Sequence, residues 1–81
     1  SIRQLKIVLQ DPPDWVLLDN MSIEDLGICV KLCNNKCKTE ASGDISLENI
    51  KNIAATGVDA VSIGSLTHSV KSVNLGLDFK T

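Results

Sequence analysis

The stretch DWVLLDNMSIEDLGICVKLC, Asp14–Cys33, decides how the fold is read. Trp15 to Leu18 is a short, almost wholly apolar run, the pattern of a strand buried on both faces. Asp19-Asn20 closes it. Ser22 then offers a side-chain oxygen to a helix N-terminus, and Asp25 follows close to capping-box spacing. Leu26, Cys29, Val30 and Cys33 recur at helical spacing and make one apolar stripe. Asn34-Asn35 stops the helix. The stretch is therefore a strand, a polar loop and a capped helix.

The same plan recurs downstream. KCKTE, Lys36–Glu40, is a weaker strand leading to Ser42-Gly43. Ser46 is expected to cap a helix whose stripe is Leu47, Ile50, Ile53 and Ala54, with Gly57 as its stop. Asp19–Ser22 of the first unit corresponds to Gly43–Ser46 of the second. Upstream, Ile2, Leu5, Val8 and Leu9 share one helical face, and Pro12-Pro13 ends that helix. Downstream, DAVSIG predicts a strand over Ala60–Ile63, SLTHSVKSV a short helix and LGLDF an extended end. The predicted order is α-β-α-β-α-β-α.

Strands alternating with helices imply parallel pairing through right-handed crossovers. Units of about 20 to 25 residues suit a (β/α) barrel. Three strands cannot close one. The chain also opens at Ser1, without Met and inside a predicted helix. The expected fold class is thus α/β, with βα units of an open TIM-like barrel, incomplete in residues 1–81.

Composition removes several function classes. The chain has 81 residues, of which 43% are hydrophobic, enough for one small core. Its net charge is −2, its pI about 5.1, and its basic residues are scattered rather than clustered. Nucleic acid is not an expected partner, because the phosphate backbone needs a positive stripe. Aromatic residues at 2% offer no base-stacking platform. No apolar run reaches the roughly 20 residues of a membrane span, so no membrane partner is expected. Cys29, Cys33 and Cys37 contain no C-x2-C pair. They read as small apolar residues of a reducing compartment, with a redox or metal role as the alternative.

Parallel α/β folds bind ligands outside the carboxyl ends of their strands. That rule selects Asp19-Asn20, Glu40–Asp44 and Gly64–His68. Ser42-Gly43 and Gly64-Ser65 each precede a predicted helix, and two such turns side by side would cradle a phosphate. The plainer reading is that both glycines serve tight turns. His68 could donate to the same phosphate or stand as a surface histidine. Asp19 could hold Mg2+ or ribose hydroxyls, or only end its strand. Glu40 is expected one strand over at the same height. Two carboxylates beside a phosphate suit a reaction that develops positive charge, such as an oxocarbenium ion.

The segments LLDNMS and TEASGDISLENIKNIAATGVDAVSIGSLTHSVKSVNLGLDF resemble the C-terminal part of the quinolinate phosphoribosyltransferase family, the carboxylating nicotinate-nucleotide pyrophosphorylases. The resemblance runs from about Leu5 to Phe79, and LDNM, EASG and GSLTHS carry it in that order. It implies an open α/β barrel, a homodimer or higher oligomer, and quinolinate and phosphoribosyl pyrophosphate as substrates with Mg2+. The products would be nicotinate mononucleotide, pyrophosphate and CO2, on the route to NAD.

By motif match, Ser42, Gly43, Gly64, Ser65 and His68 would be phosphate-binding. Asp19 would face the ribose or the metal, and Glu40 would support the ribosyl centre, making Asp19 and Glu40 the catalytic pair. Asp44 departs from the family's usual Gly or Asn, and Ser65 from its Ala. Arg3 is the only arginine. A chain without the family's cationic grip on quinolinate is expected to be inactive alone, completed by the rest of its barrel. A cytoplasmic location is expected, or an organellar one where a transit segment precedes the chain. Two other readings stand beside this one: a paralogous barrel transferase with another acceptor, and a non-catalytic interaction module.

Overall fold

The computed structural model describes residues 2–64 and 66–70. Its elements are α1 (Ile2–Val8), β1 (Trp15–Asp19), α2 (Ile23–Cys33), β2 (Lys38–Ser42), α3 (Ile50–Ala55), β3 (Ala60–Ile63) and β4 (Leu66–Ser69). The strands form one sheet in the order β1-β2-β3-β4. β1, β2 and β3 run parallel, in the register Leu18↔Ala41 and Ala41↔Val61. β4 returns antiparallel to β3, with Ile63↔Leu66 and Val61↔His68.

α2 begins as expected. The Ser22 hydroxyl accepts the Asp25 backbone N–H at 3.2 Å, which satisfies one of the free donors of the first turn. Asn34 follows the last helical residue, and Asn35 at φ 65° turns the chain back toward β2. Asparagine tolerates that left-handed conformation better than most side chains. Gly57, at φ 93°, ends α3 in the same way.

Alternation along the strands sorts the side chains. Leu18, Thr39, Ala41 and Val61 are buried on one face of the sheet. They join Leu5 and Leu9 of the N-terminal segment, Leu26, Cys29 and Cys33 of α2, and Ile50 and Ile53 of α3 in a single core. Buried Thr39 is the polar exception. Its backbone N–H donates to Asp59 Oδ2 at 2.8 Å, and its hydroxyl lies 3.4 Å from the same oxygen. The Asp59 N–H in turn donates to the Thr39 carbonyl at 3.0 Å.

Four expectations are corrected. The segment predicted as a helix after Gly64 is strand β4, because Gly64 at φ 63° makes the tight hairpin that Ile63↔Leu66 pairing requires. β1 is buried on one face only: Trp15 is 47% and Leu17 60% exposed, since no described layer covers the other side. Ser46 caps the turn that leads into α3 rather than α3 itself: its hydroxyl accepts the Glu48 N–H at 3.3 Å and its carbonyl the Ile50 N–H at 3.0 Å, while Asn49 stands at the helix boundary. Leu47, placed on that turn, is exposed rather than part of the stripe. LGLDF lies outside the described residues.

Candidate functional site

The residues singled out at the strand ends fall on two faces of the sheet. Asp19 and Ser42 are the last rung of the β1–β2 ladder. The Ser42 hydroxyl donates to Asp19 Oδ1 at 2.7 Å, and the Asn20 N–H donates to the Ser42 carbonyl at 2.9 Å. Glu40, two residues before Ser42, pairs with Leu17, so it shares the face of Asp19 but not the height expected of it, because the β1–β2 register sets Ser42 there. Its Oε2 accepts the Ser62 hydroxyl at 2.6 Å, and Ser62 Oγ lies 3.2 Å from Thr67 Oγ1. A short hydrogen bond to a carboxylate is among the stronger kinds. The face away from the helices thus carries Asp19–Ser42 and Glu40–Ser62–Thr67 side by side.

Gly43 is explained by packing. At φ 109°, a β-carbon there would sit 2.8 Å from Asn20 Cα and 2.9 Å from Asn20 N. The two strand-end loops touch backbone to backbone, and only glycine permits it. Gly64, at φ 63°, has open space where its β-carbon would be. It leads into a hairpin, so no helix N-terminus stands behind it among the described residues. The cradle expected from two helix starts is therefore not built in that form.

His68 pairs with Val61 and shares its side of the sheet, opposite the Glu40 face. This structure does not bring the imidazole to the two carboxylates. Ser65 lies outside the described residues. Asp44 is exposed and lines a cavity of about 230 Å3 between the β1–α2 and β2–α3 loops, together with Asn20, Ser42 and Asn49. The Asn49 side chain stitches that loop, donating to the Asp44 carbonyl at 2.6 Å and accepting the Ser46 N–H at 2.8 Å.

Ser62 and Thr67 are the residues that the sequence reading missed. A polar residue inside AVSI, two positions from a residue level with Glu40, is the signal that could have found Ser62. Thr67 required the hairpin to be seen first.

The cysteines behave as core. Cys29 and Cys33 are fully buried free thiols. Burial pushes the Cys33 thiol up to about 12, with the Cys37 thiol beside it adding to the effect. Burial, then the Asp25 carboxylate, also raises Cys29. The Cys29 thiol lies 3.7 Å from Met21 Sδ. Among the described residues no three His, Cys, Asp or Glu side chains group to hold a metal, and no helix is long and apolar enough to cross a membrane.

Fold and face together define a class: a mixed α/β sheet with helices packed on one side and a carboxylate–hydroxyl row on the other, near the C-terminal ends of its parallel strands. Within that class the chain belongs to the quinolinate phosphoribosyl transferase family, whose C-terminal domain model matches residues 1–78. It is 40% identical to the nicotinate-nucleotide pyrophosphorylase [carboxylating] of Mycobacterium leprae, over 96% of this chain and 28% of that protein. It is 39% identical to quinolinate phosphoribosyltransferase [decarboxylating] 1 of Nicotiana glauca, over 82% of this chain and 21% of that protein. The crystal structure of nicotinate-nucleotide pyrophosphorylase from Ehrlichia chaffeensis superposes with a TM-score of 0.73 at 43% identity, covering 78% of this chain and 23% of that one. The chain thus spans less than a third of the length of these relatives.

Proposed function

We propose that this chain supplies the phosphate and ribose side of a phosphoribosyltransferase site. The reaction is transfer of the phosphoribosyl group from phosphoribosyl pyrophosphate to quinolinate with decarboxylation. It yields nicotinate mononucleotide, pyrophosphate and CO2 in NAD biosynthesis. Residues 1–81 are read as the C-terminal βα units of an open barrel domain, in a protein that works as a homodimer or larger oligomer. The location is the cytoplasm; relatives named chloroplastic and mitochondrial also occur.

The observation that carries this reading is the pairing of Asp19 with Ser42 and of Glu40 with Ser62 on one sheet face, in a chain of this family. As the pyrophosphate leaves, cationic character builds at the ribosyl carbon. A carboxylate already fixed by a 2.6 Å hydrogen bond stabilises that charge with little reorganisation. Glu40 has this role. Asp19 receives the ribose hydroxyls, with Ser42 holding one of its oxygens. Ser42, Gly43 and Gly64, at the strand ends, contact the 5′-phosphate through hydroxyl and backbone N–H groups. Ser65 and His68 complete the phosphate contacts, His68 after rearrangement of the β3–β4 hairpin.

Asp19, an exposed carboxylate at the end of β1, would hold Mg2+ weakly, through water or substrate oxygens. The ion would offset charge on the leaving pyrophosphate.

Titration of the full-length protein with phosphoribosyl pyrophosphate tests the reading, followed by CO2 release from carboxyl-labelled quinolinate. Binding with turnover is the expected result. No binding removes every transferase reading. Binding without turnover of quinolinate favours a transferase for another acceptor.

A further inference from the structure

We infer that Cys33 and Cys37 are a site of reversible disulfide formation, closing the turn between α2 and β2 when a hydroperoxide oxidises them. The inference rests on the turn itself and stands apart from the carboxylate face. Both residues line one cavity of about 440 Å3 at the N-terminal end of the strands, together with Lys36 and Asp59. Cys33 is the last residue of α2 and Cys37 the last before β2.

The backbone between them is a closed turn. The Lys36 and Cys37 N–H groups both donate to the Cys33 carbonyl, at 2.9 and 3.1 Å, with Asn35 at φ 65° folding the chain back. The Cys37 N–H bond to the Cys33 carbonyl closes a single turn between the two residues, and a disulfide needs their α-carbons about 4.4–6.8 Å apart. After burial, the neighbouring Cys37 thiol is the next cause that holds Cys33 protonated. Cys29 is also four residues from Cys33, but on regular helix. Side chains so placed keep their β-carbons about 5–6 Å apart, beyond the roughly 3.5–4.5 Å of a disulfide. Spacing alone does not distinguish the pairs; the left-handed Asn35 does.

Exposure assigns the roles. Cys37 is half-buried at the cavity wall, whereas Cys33 is fully buried. The Cys37 sulfur attacks one oxygen of the hydroperoxide, the O–O bond breaks, and the leaving alkoxide or hydroxide takes the proton that the Cys37 thiol gives up. Cys37 becomes a sulfenic acid. The Cys33 sulfur then attacks the Cys37 sulfur, the S–O bond breaks, and the departing hydroxide takes the Cys33 proton as water. Two thiols lose two electrons and two protons in all, and the peroxide gains both. A dithiol reverses the step.

Tryptic mapping tests this on the full-length protein, treated with hydrogen peroxide and alkylated before digestion. Trypsin cuts after Lys31, Lys36 and Lys38. A Cys33–Cys37 bridge therefore leaves peptides 32–36 and 37–38 joined, with the mass of the two free peptides less two hydrogens, until reductant parts them. The joined species is expected in the native protein and in Cys29→Ser, and is lost in Cys37→Ser. Cys37 sulfinic acid without linkage, a Cys29–Cys33 bridge, or a pair still fully alkylated after peroxide would each overturn the inference. The native protein alone decides between these outcomes, whether or not a variant folds.

Discussion

A glutamate on an open sheet face ordinarily samples several rotamers, but Glu40 is tied to the Ser62 hydroxyl at 2.6 Å. In the proposed site Ser62 is a positioning residue. In the full-length enzyme Glu40→Gln should lower kcat by about 10²-fold, the scale of losing one electrostatic stabiliser. Ser62→Ala should lower it about tenfold, as expected for one hydrogen bond to a charged group. The double variant should be little worse than Glu40→Gln alone, because the serine acts through the carboxylate. Steady-state kcat and the KM for phosphoribosyl pyrophosphate check this; additive losses would separate the two residues.

The two strand-end glycines differ at this same scale. Gly43→Ala must push the β-carbon against Asn20 and should cost about 2–3 kcal/mol in urea unfolding. Gly64→Ala meets no neighbour and carries only left-handed strain, about 1 kcal/mol. Gly64→Val should weaken phosphoribosyl pyrophosphate binding by obstructing close backbone approach. Unchanged affinity would remove Gly64 from the site.

At the scale of elements, α2 and its neighbours were legible because their signals are local. Ser22 caps, the stripe of Leu26, Cys29 and Cys33 is buried, and Asn34-Asn35 ends the helix, all as sequence chemistry dictates. β4 was missed because the alternating βα plan was extended one unit too far. Gly64-Ser65 between apolar runs is also a two-residue hairpin signal, and here the local turn won. The repeat sets Asp19 level with Gly43, one residue from the Ser42 it actually pairs with. The face on which His68 sits could not be read, because it depends on antiparallel register that only strand pairing sets.

The cap and the core of α2 each carry a prediction. Ser22→Ala should cost about 1 kcal/mol in urea unfolding. Cys33 is held protonated by burial, its folded value raised from 9.0 to about 12. The unfolded chain then binds fewer protons than the folded one between those values, so stability falls as pH rises from about 9 toward 12. Below about 9 the contribution is complete. Urea midpoints measured across that range should fall less steeply in Cys33→Ala than in the native protein, although the variant starts lower because of its cavity.

At the scale of the molecule, the sheet is covered on one side and bare on the other. Trp15 and Leu17 are 47% and 60% exposed on the face that also carries Asp19 and Glu40, and β1 is an edge strand. An apolar residue at a parallel strand's centre is usually covered by a second layer. In the proposed barrel that layer is the interior contributed by the remaining strands, and Asp19 and Glu40 become enclosed with the same step. Covering Leu17 contributes about 1.5 kcal/mol. Leu17→Asp in the full-length protein should therefore lower its thermal midpoint, while residues 1–81 alone should gain nothing from Leu17. The isolated piece should unfold without a cooperative transition and bind hydrophobic dyes. Trp15, its only tryptophan, should be readily quenched by aqueous iodide. A sharp, concentration-independent thermal transition in the isolated piece, with Trp15 shielded, would mean that these residues are a self-sufficient domain. The carboxylate face would then be open to solvent in the working protein, and Glu40 would lack the low-dielectric setting that its electrostatic role requires.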